Sequence, residues 1–237
     1  MNIVILLSAG RDPRSGHPRP VRTELQAIAL ARTLPDATIT GLHAGEPDPA
    51  ILDAFAHGLT VITLLRQPPA DDPFPALAAE LARLAPDLIL AGRRGIGGTD
   101  TGLLPYRLAH ARNVPIAADA IAITRAGPHC NITQALPRAA RRRITLTLPA
   151  IVTIHDAAPF ESPYIHRTRH TGHLTERPGI PAPIAPSETR PYRPRPKLIA
   201  ETRLTSAGTI MTNPAPDEAA IAILDYIARF RGVKLPE

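Results

Sequence analysis

Apolar runs alternate with stretches whose apolar positions recur every three or four residues. The alternation covers the first half of the chain. Asn2–Ser8, NIVILLS, is an unbroken apolar run and predicts a strand buried on both faces. Glu24–Leu34 places Leu25, Ile28, Ala29 and Arg32 at helical spacing, with Thr23 as the expected N-cap. Ala37–His43 predicts a second strand. Pro49 to about His57 predicts a helix with Pro at its first position and Gly58 at its end. Thr60–Leu65 predicts a third strand, Phe74–Leu84 a helix, and Leu88–Ala91 a fourth strand after the turn Pro86-Asp87. Such alternation builds a parallel sheet covered by helices on both faces, joined by right-handed crossovers. Ligands of such sheets bind at the carboxyl ends of the strands.

The fourth strand opens into a loop carrying Gly92, Gly95, Gly97, Gly98 and Gly102. Leu103, Leu104, Leu108 and Ala111 follow at helical spacing. Pro105 fits only a first turn, so the helix should begin near Thr101 or Gly102. Strand, glycine-rich loop and helix start form a recipe for holding phosphate: the backbone can approach closely, and free amides meet the charge. No Gly-Lys-Ser/Thr follows, so it is not a Walker loop, and its place after the fourth strand does not suit the dinucleotide fingerprint.

The rhythm changes after a short fifth strand, Ile116–Ala118. Ala120–Thr124, Asn131–Leu136, Ile144–Leu148 and Ala150–His155 are short runs between turn residues, read as antiparallel strands added to the sheet. From Ala158 to Ala200 there are nine prolines and hardly any apolar periodicity, so that stretch cannot build a core. A last helix is expected from about Asp217 to Phe230, after Asn213-Pro-Ala-Pro. The expected division is 1–157 as a nucleotide-binding domain, 158–203 as a docking loop and extended arm, and 204–237 as a C-terminal segment and helix.

Composition narrows the classes. No apolar run reaches membrane-spanning length and no cleavable leader pattern opens the chain, so a cytoplasmic protein without membrane insertion is expected. Cys130 is the sole cysteine, which excludes an internal disulfide or a cysteine metal cluster. The net charge of +6 is concentrated: residues 138–203 carry 12 basic and 5 acidic groups, whereas residues 1–137 carry 12 of each. That segment could bind nucleic acid, but stacking aromatics are scarce there and no nucleic-acid motif appears; an acidic protein partner or cofactor phosphates explain the excess equally well, and no nucleic acid is expected. His166, His170 and His173 have metal-ligand spacing for a helix, but Thr168, Thr171 and Gly172 argue against one. No metal is expected.

Several segments in order resemble the beta subunit of electron transfer flavoproteins: Glu24-Leu-Gln-Ala-Ile-Ala-Leu-Ala-Arg32, Gly41-Leu-His-Ala-Gly45, Pro86-Asp-Leu-Ile-Leu-Ala-Gly-Arg93, Thr101-Gly102, Leu146-Thr-Leu-Pro-Ala-Ile-Val-Thr153 and Ser206-Ala-Gly208. The resemblance spans residues 1 to about 157 and returns near the C-terminus. It implies an α/β fold with a parallel Rossmann-like sheet of the adenine nucleotide alpha hydrolase-like type, with helices on both faces, added antiparallel strands and an extended C-terminal arm. It implies a heterodimer with an alpha subunit that carries most of the FAD site. This chain would hold AMP, or a second FAD as in the bifurcating branch. The implied role is electron shuttling from a flavoprotein dehydrogenase towards a membrane quinone reductase, as a carrier subunit rather than a stand-alone catalyst. Candidate cofactor-binding residues are Leu7, Ser8, Ala9, Gly41, Gly92, Arg93, Gly97, Gly98, Thr99, Asp100, Thr101 and Gly102. Pro159–Ile165 falls where the family has its dehydrogenase-recognition loop, with Tyr164 or Ile165 as docking anchor.

The resemblance is incomplete. The family's Gln-Thr-Gly after the fourth strand lacks its Gln, and the Asn-Pro before the first helix is replaced by Arg19-Pro20-Val21, which points to a divergent branch. No bifurcation-type motif stands in the first loop, so one-electron shuttling is expected. Ser8-Ala-Gly-Arg-Asp12 also resembles the Ser-Gly-Gly-x-Asp-Ser loop of ATP pyrophosphatases, with Ala9 for a Gly and Pro13 for the last Ser. An ATP-dependent enzyme of that kind, or a stress-type nucleotide-binding module, is the alternative.

Overall fold

A computed structural model describes residues 1–95, 101–160, 163–184 and 210–230. Gly97, Gly98, Thr99 and Asp100, expected to bind the cofactor, lie outside the described residues. Residues 1–187 form one compact unit and 188–237 another.

The first unit is built on a nine-stranded sheet in the order β7-β6-β5-β8-β4-β1-β2-β3-β9. Its strands are β1 (Asn2–Leu6), β2 (Thr38–Gly45), β3 (Val61–Arg66), β4 (Leu88–Gly92), β5 (Ile116–Ala126), β6 (His129–Ala135), β7 (Arg141–Thr147), β8 (Ala150–Ile154) and β9 (His173–Pro178). The helices are α1 (Arg22–Arg32), α2 (Pro49–Ala56), α3 (Pro73–Leu84), α4 (Leu104–Arg112) and α5 (His166–Thr171). The seven strands from β5 to β9 along the sheet run parallel, and β6 and β7 add an antiparallel end.

The apolar runs divide by parity, because successive strand residues point to opposite faces. Ile3, Ile5 and Leu7 join Leu88, Leu90 and Val152 under α1 and α2, with Ile28 and Phe55 at the centre. Val4, Leu6, Ile89, Ala91 and Ile151 pack on the other face against Leu77 and Leu81 of α3 and Leu108 of α4. A run apolar at every position therefore serves two cores at once.

Ala150–His155 was expected to be antiparallel. It is instead β8, parallel and inserted between β4 and β5, with Leu88 paired to Ala150 and Ile116 to Ile151. Ile116–Ala118 and Ala120–Thr124 are one strand with an irregularity at Ala118-Asp119, where Asp119 has φ 57°. Within the Pro-rich stretch, α5 occupies the histidine segment where no helix was expected. β9 then lies parallel on β3, pairing Val61 with His173 through Arg66 with Pro178. Thr23 does not cap α1: the cap residue is Val21, with no side-chain hydrogen bond, and Thr23 is buried in the first turn. Asp48 and Asp72 cap α2 and α3, accepting from the amides of Ala50 and Phe74 at 2.8 and 3.0 Å. The helix α4 begins at Leu104, a turn later than expected, with the Leu103 amide donating to Thr101 Oγ1 at 3.3 Å.

In the second unit, α6 (Pro216–Phe230) carries Asp217 and Glu218 in its first turn, where negative charge suits a helix start.

Candidate functional site

β1 is flanked by β2 on one side and β4 on the other, so the chain crosses over in opposite directions from it. A cleft opens at the carboxyl ends of strands at such a switch point. It measures about 500 Å³, a size suited to a small-molecule ligand. Leu7, Ser8 and Ala9 follow β1 into it; His43 to Gly45 end β2 and Glu46 to Asp48 follow it, and Gln67, Pro68, Pro69, Asp71 and Asp72 follow β3. Gly92, Gly95, Thr101 and Gly102 enter from the loop after β4. A strap after β9 closes one rim. The Asp72 amide donates to the Ala182 carbonyl at 2.7 Å, the Ile184 amide to Ala70 at 3.1 Å, and Ile184 lines the cleft.

Of the expected cofactor-binding residues, Leu7, Ser8, Ala9, Gly92, Thr101 and Gly102 come together on this cleft. Gly41 stands apart from them, on β2 against the side chains of Leu7, Leu59 and Ile62. Arg93 turns to the Asp119 bulge, its Nε 3.2 Å from Oδ1, and ties the glycine-rich loop to β5.

Two buried titratable groups grip consecutive residues of the β1 terminus. His43 Nδ1 donates to the Leu7 carbonyl at 2.9 Å, and burial lowers its pKa, so the ring stays neutral. Glu24, in the first turn of α1, accepts the Ser8 amide at 2.9 Å on Oε2 and meets the Ser8 hydroxyl with Oε1. Burial pushes its carboxyl up to about 8, against the two Ser8 hydrogen bonds, which pull it down. The sequence held a signal for Glu24: it shares a helix face with Ala27, Ile28 and Ala31, so its carboxylate falls within an apolar stripe. No comparable signal marked His43, one of many in-facing positions on a buried strand.

The cationic side chains at the rim are tied to acids. Arg11 makes a two-pronged pair with Asp48, at 3.0 and 2.5 Å. Arg107 pairs with Asp72 at 2.9 Å and lies 4.2 Å from the Phe74 ring centre. Asp12 accepts from the amides of Arg14 and Ser15 and from the Ser15 hydroxyl. These bonds, the backbone ones first, hold its carboxyl down at about 2. They fold the arginine-rich first loop on itself. The cleft can thus hold a nucleoside on apolar walls and meet an anion with loop amides and hydroxyls.

A second surface lies at α5. Tyr164 and Ile165 are 51% and 43% exposed. Their backbone is fixed from beneath: the Ile165 amide donates to Ala56 at 2.8 Å, Arg169 pairs with Asp53 at 2.5 Å, and the Tyr164 ring meets His57 edge-on at 5.5 Å. The His166 and His170 rings are 4.7 Å apart. Among the described residues no group of three His, Cys, Asp or Glu could hold a metal ion. No helix among them is long and apolar enough to cross a membrane.

Comparison with known proteins agrees with this architecture. The sequence pattern of the electron transfer flavoprotein domain matches residues 15–170. An electron transfer flavoprotein subunit beta of Chromohalobacter salexigens is 32% identical, over 96% of this chain and 94% of its own length. The chain belongs to the electron transfer flavoprotein family, among its beta subunits.

Proposed function

We propose that this chain holds AMP in the cleft at the β1/β4 switch point and completes an FAD site carried mainly by an alpha subunit. The observation that carries the reading is the cleft itself. It has the volume of a nucleotide site, and glycine and hydroxyl residues from two loops meet in it. Its residues fit the group: apolar walls from Leu42 and Leu77 suit a base, and Gly92, Gly95, Thr101 and Gly102 line the cleft ahead of α4. Flavin, when bound with the partner, supplies the one-electron chemistry. This chain contributes the nucleotide sheet, the docking surface and the Pro-rich arm that would lie along the alpha subunit. Electrons would pass from a flavoprotein dehydrogenase towards a membrane quinone reductase, with the carrier free in the cytoplasm.

The ATP-cleaving alternative has less support. A pyrophosphatase loop offers its first amides to phosphate, whereas the Ser8 amide is already spent on Glu24 and Asp12 is turned into its own loop.

The test is an absorption spectrum of the chain purified alone and with its alpha subunit, with bound nucleotides extracted. A flavin spectrum only in the pair, with AMP in the extract, is expected. A colourless pair, or ATP turned over to pyrophosphate, would reject the reading.

Tyr164 and Ile165 are the proposed anchor for the dehydrogenase, being apolar, exposed and backed by a fixed backbone. Tyr164→Ala is expected to lower kcat/KM for electron uptake from the dehydrogenase about tenfold, as loss of one anchor does. Flavin content should not change. An unaltered kcat/KM would place docking elsewhere.

A further inference from the structure

Among the described residues, three polar side chains on the cleft are buried by more than nine-tenths: Glu24, His43 and Gln67. Glu24 is bonded to Ser8, and His43 to the Leu7 carbonyl. Gln67 differs. It stands directly after β3, 5% exposed, its backbone fixed by donation to the Gly45 carbonyl at 3.2 Å. Its Oε1 is closed to solvent and accepts no hydrogen bond. A buried acceptor without a donor costs free energy until something supplies one. The rim cations are held elsewhere, Arg11 by Asp48 and Arg107 by Asp72.

The surroundings of that oxygen decide how it can be used. Gly179, on the strap beyond β9, packs over it: a Cβ there would stand 2.9 Å from Gln67 Oε1 and 2.8 Å from the Arg66 carbonyl oxygen. Two acceptors thus flank one point. The last torsion of glutamine is broad and two-fold, so the carboxamide can turn over without moving its stem. Turned over, its NH2 end lies on the side of the Arg66 carbonyl. That oxygen keeps a lone pair beyond the one that takes the Gly179 amide. Oε1 moves to the end away from Gly179, and Gln67 lines the cleft. The relieved orientation therefore offers an acceptor to the ligand.

We propose that Gln67 reads the base of the nucleotide. Its Oε1 accepts a hydrogen from an exocyclic amino group, so the cleft takes a 6-aminopurine monophosphate and rejects its 6-oxo counterpart. The proposal rests on the nucleotide reading above. A carboxamide oxygen matches the adenine amino group, as it does where glutamine meets adenine in protein–DNA contacts. A 6-oxopurine presents a carbonyl at that place. To meet it the NH2 end must face the cleft, which returns Oε1 to the Arg66 carbonyl without a donor. Such a site rejects the unmatched base because its own buried polar group is left unpaired. Leu42 and Leu77 hold either base alike, so the choice falls to the carboxamide.

The test is calorimetric titration of the full chain, freed of bound nucleotide, with AMP, inosine monophosphate and purine riboside monophosphate. The last differs from AMP only in lacking the amino group. The parent should bind AMP at least about tenfold more tightly than either, the worth of one buried hydrogen bond. Gln67→Met keeps the length of the side chain and removes the acceptor. It should bind all three nucleotides alike, AMP having weakened about tenfold. Equal affinities in the parent, or an AMP preference that survives in Gln67→Met, overturn the proposal. Where Gln67→Met does not fold, the parent's ratio of AMP to purine riboside monophosphate decides alone. AMP that binds without preference leaves the nucleotide reading standing and removes this proposal. A chain that binds none of the three removes both.

Discussion

Gly92→Ala is expected to destabilise the folded chain by about 2–3 kcal/mol and to weaken AMP binding at least about tenfold. Gly92 ends β4 against the first turn of α1, and a Cβ there would lie 2.6 Å from Thr23 Oγ1 and 3.4 Å from Glu24 Cγ. Alanine in a strand normally gains about 0.5–1 kcal/mol over glycine. The overlap outweighs that gain, because Thr23 is buried in the turn and has nowhere to go. Relief requires α1 to move off β4, which draws Glu24 away from Ser8 and opens the cleft proposed to hold AMP. Thr23→Ala removes the colliding oxygen. In the Gly92→Ala background it should restore more than half of the lost stability, a coupling expected of residues in contact. Urea denaturation of the two single variants and the double variant checks this. Equal midpoints for Gly92→Ala and the parent would mean that β4 and α1 are not packed this closely.

The part of the fold legible in the sequence is the part whose strands are buried on both faces. β1, β3 and β4 are continuous apolar runs, and a residue on either parity finds a core. The helices between them carry their own punctuation: Pro49 and Pro73 at first positions, with Asp48 and Asp72 capping. Partner direction was not legible. Ala150–Ile154 reads as a short apolar run whichever way it pairs, and only its insertion between β4 and β5 makes it parallel. β9 was missed for a different reason. His-Leu-Thr-Glu-Arg-Pro has a single large apolar side chain, and it is held as an edge strand by its backbone ladder on β3 and by Arg66–Glu176 at 3.1 Å. At the site, glycine spacing located the loop after β4. It did not reveal that Arg93 turns to Asp119, a contact created by an irregularity in a strand about 25 residues away. Glu24 enters the sequence reading only as the start of a helix; its burial comes from packing on the face of Ala27, Ile28 and Ala31, and its partner Ser8 lies across the first loop, which Asp12 folds on itself.

Glu24→Gln is expected to stabilise the chain at alkaline pH and to leave it nearly unchanged in acid. A glutamate ionises near 4.5 in the unfolded chain and near 8 in the folded one. Below about pH 4.5 both states hold the proton, and Glu24 costs nothing. Between the two values the folded state holds a proton that the unfolded state has released, so stability falls by about 1.4 kcal/mol for each pH unit. Above about pH 8 both states are ionised and the loss is complete, on the order of 5 kcal/mol. Little of this is screened by solvent, because the carboxyl is buried. Glutamine keeps the shape, accepts the Ser8 amide and donates to Ser8 Oγ, and it releases no proton from either state. The parent should therefore lose stability relative to Glu24→Gln progressively from about pH 5 to about pH 8, and the difference should then level off. Urea midpoints measured across that range check the slope and its plateau. A difference that does not change with pH would show that the carboxyl ionises in the folded chain as it does in water. The close contact with Ser8 would then be an ordinary carboxylate cap, and the first turn of α1 would hold its charge through the helix dipole instead.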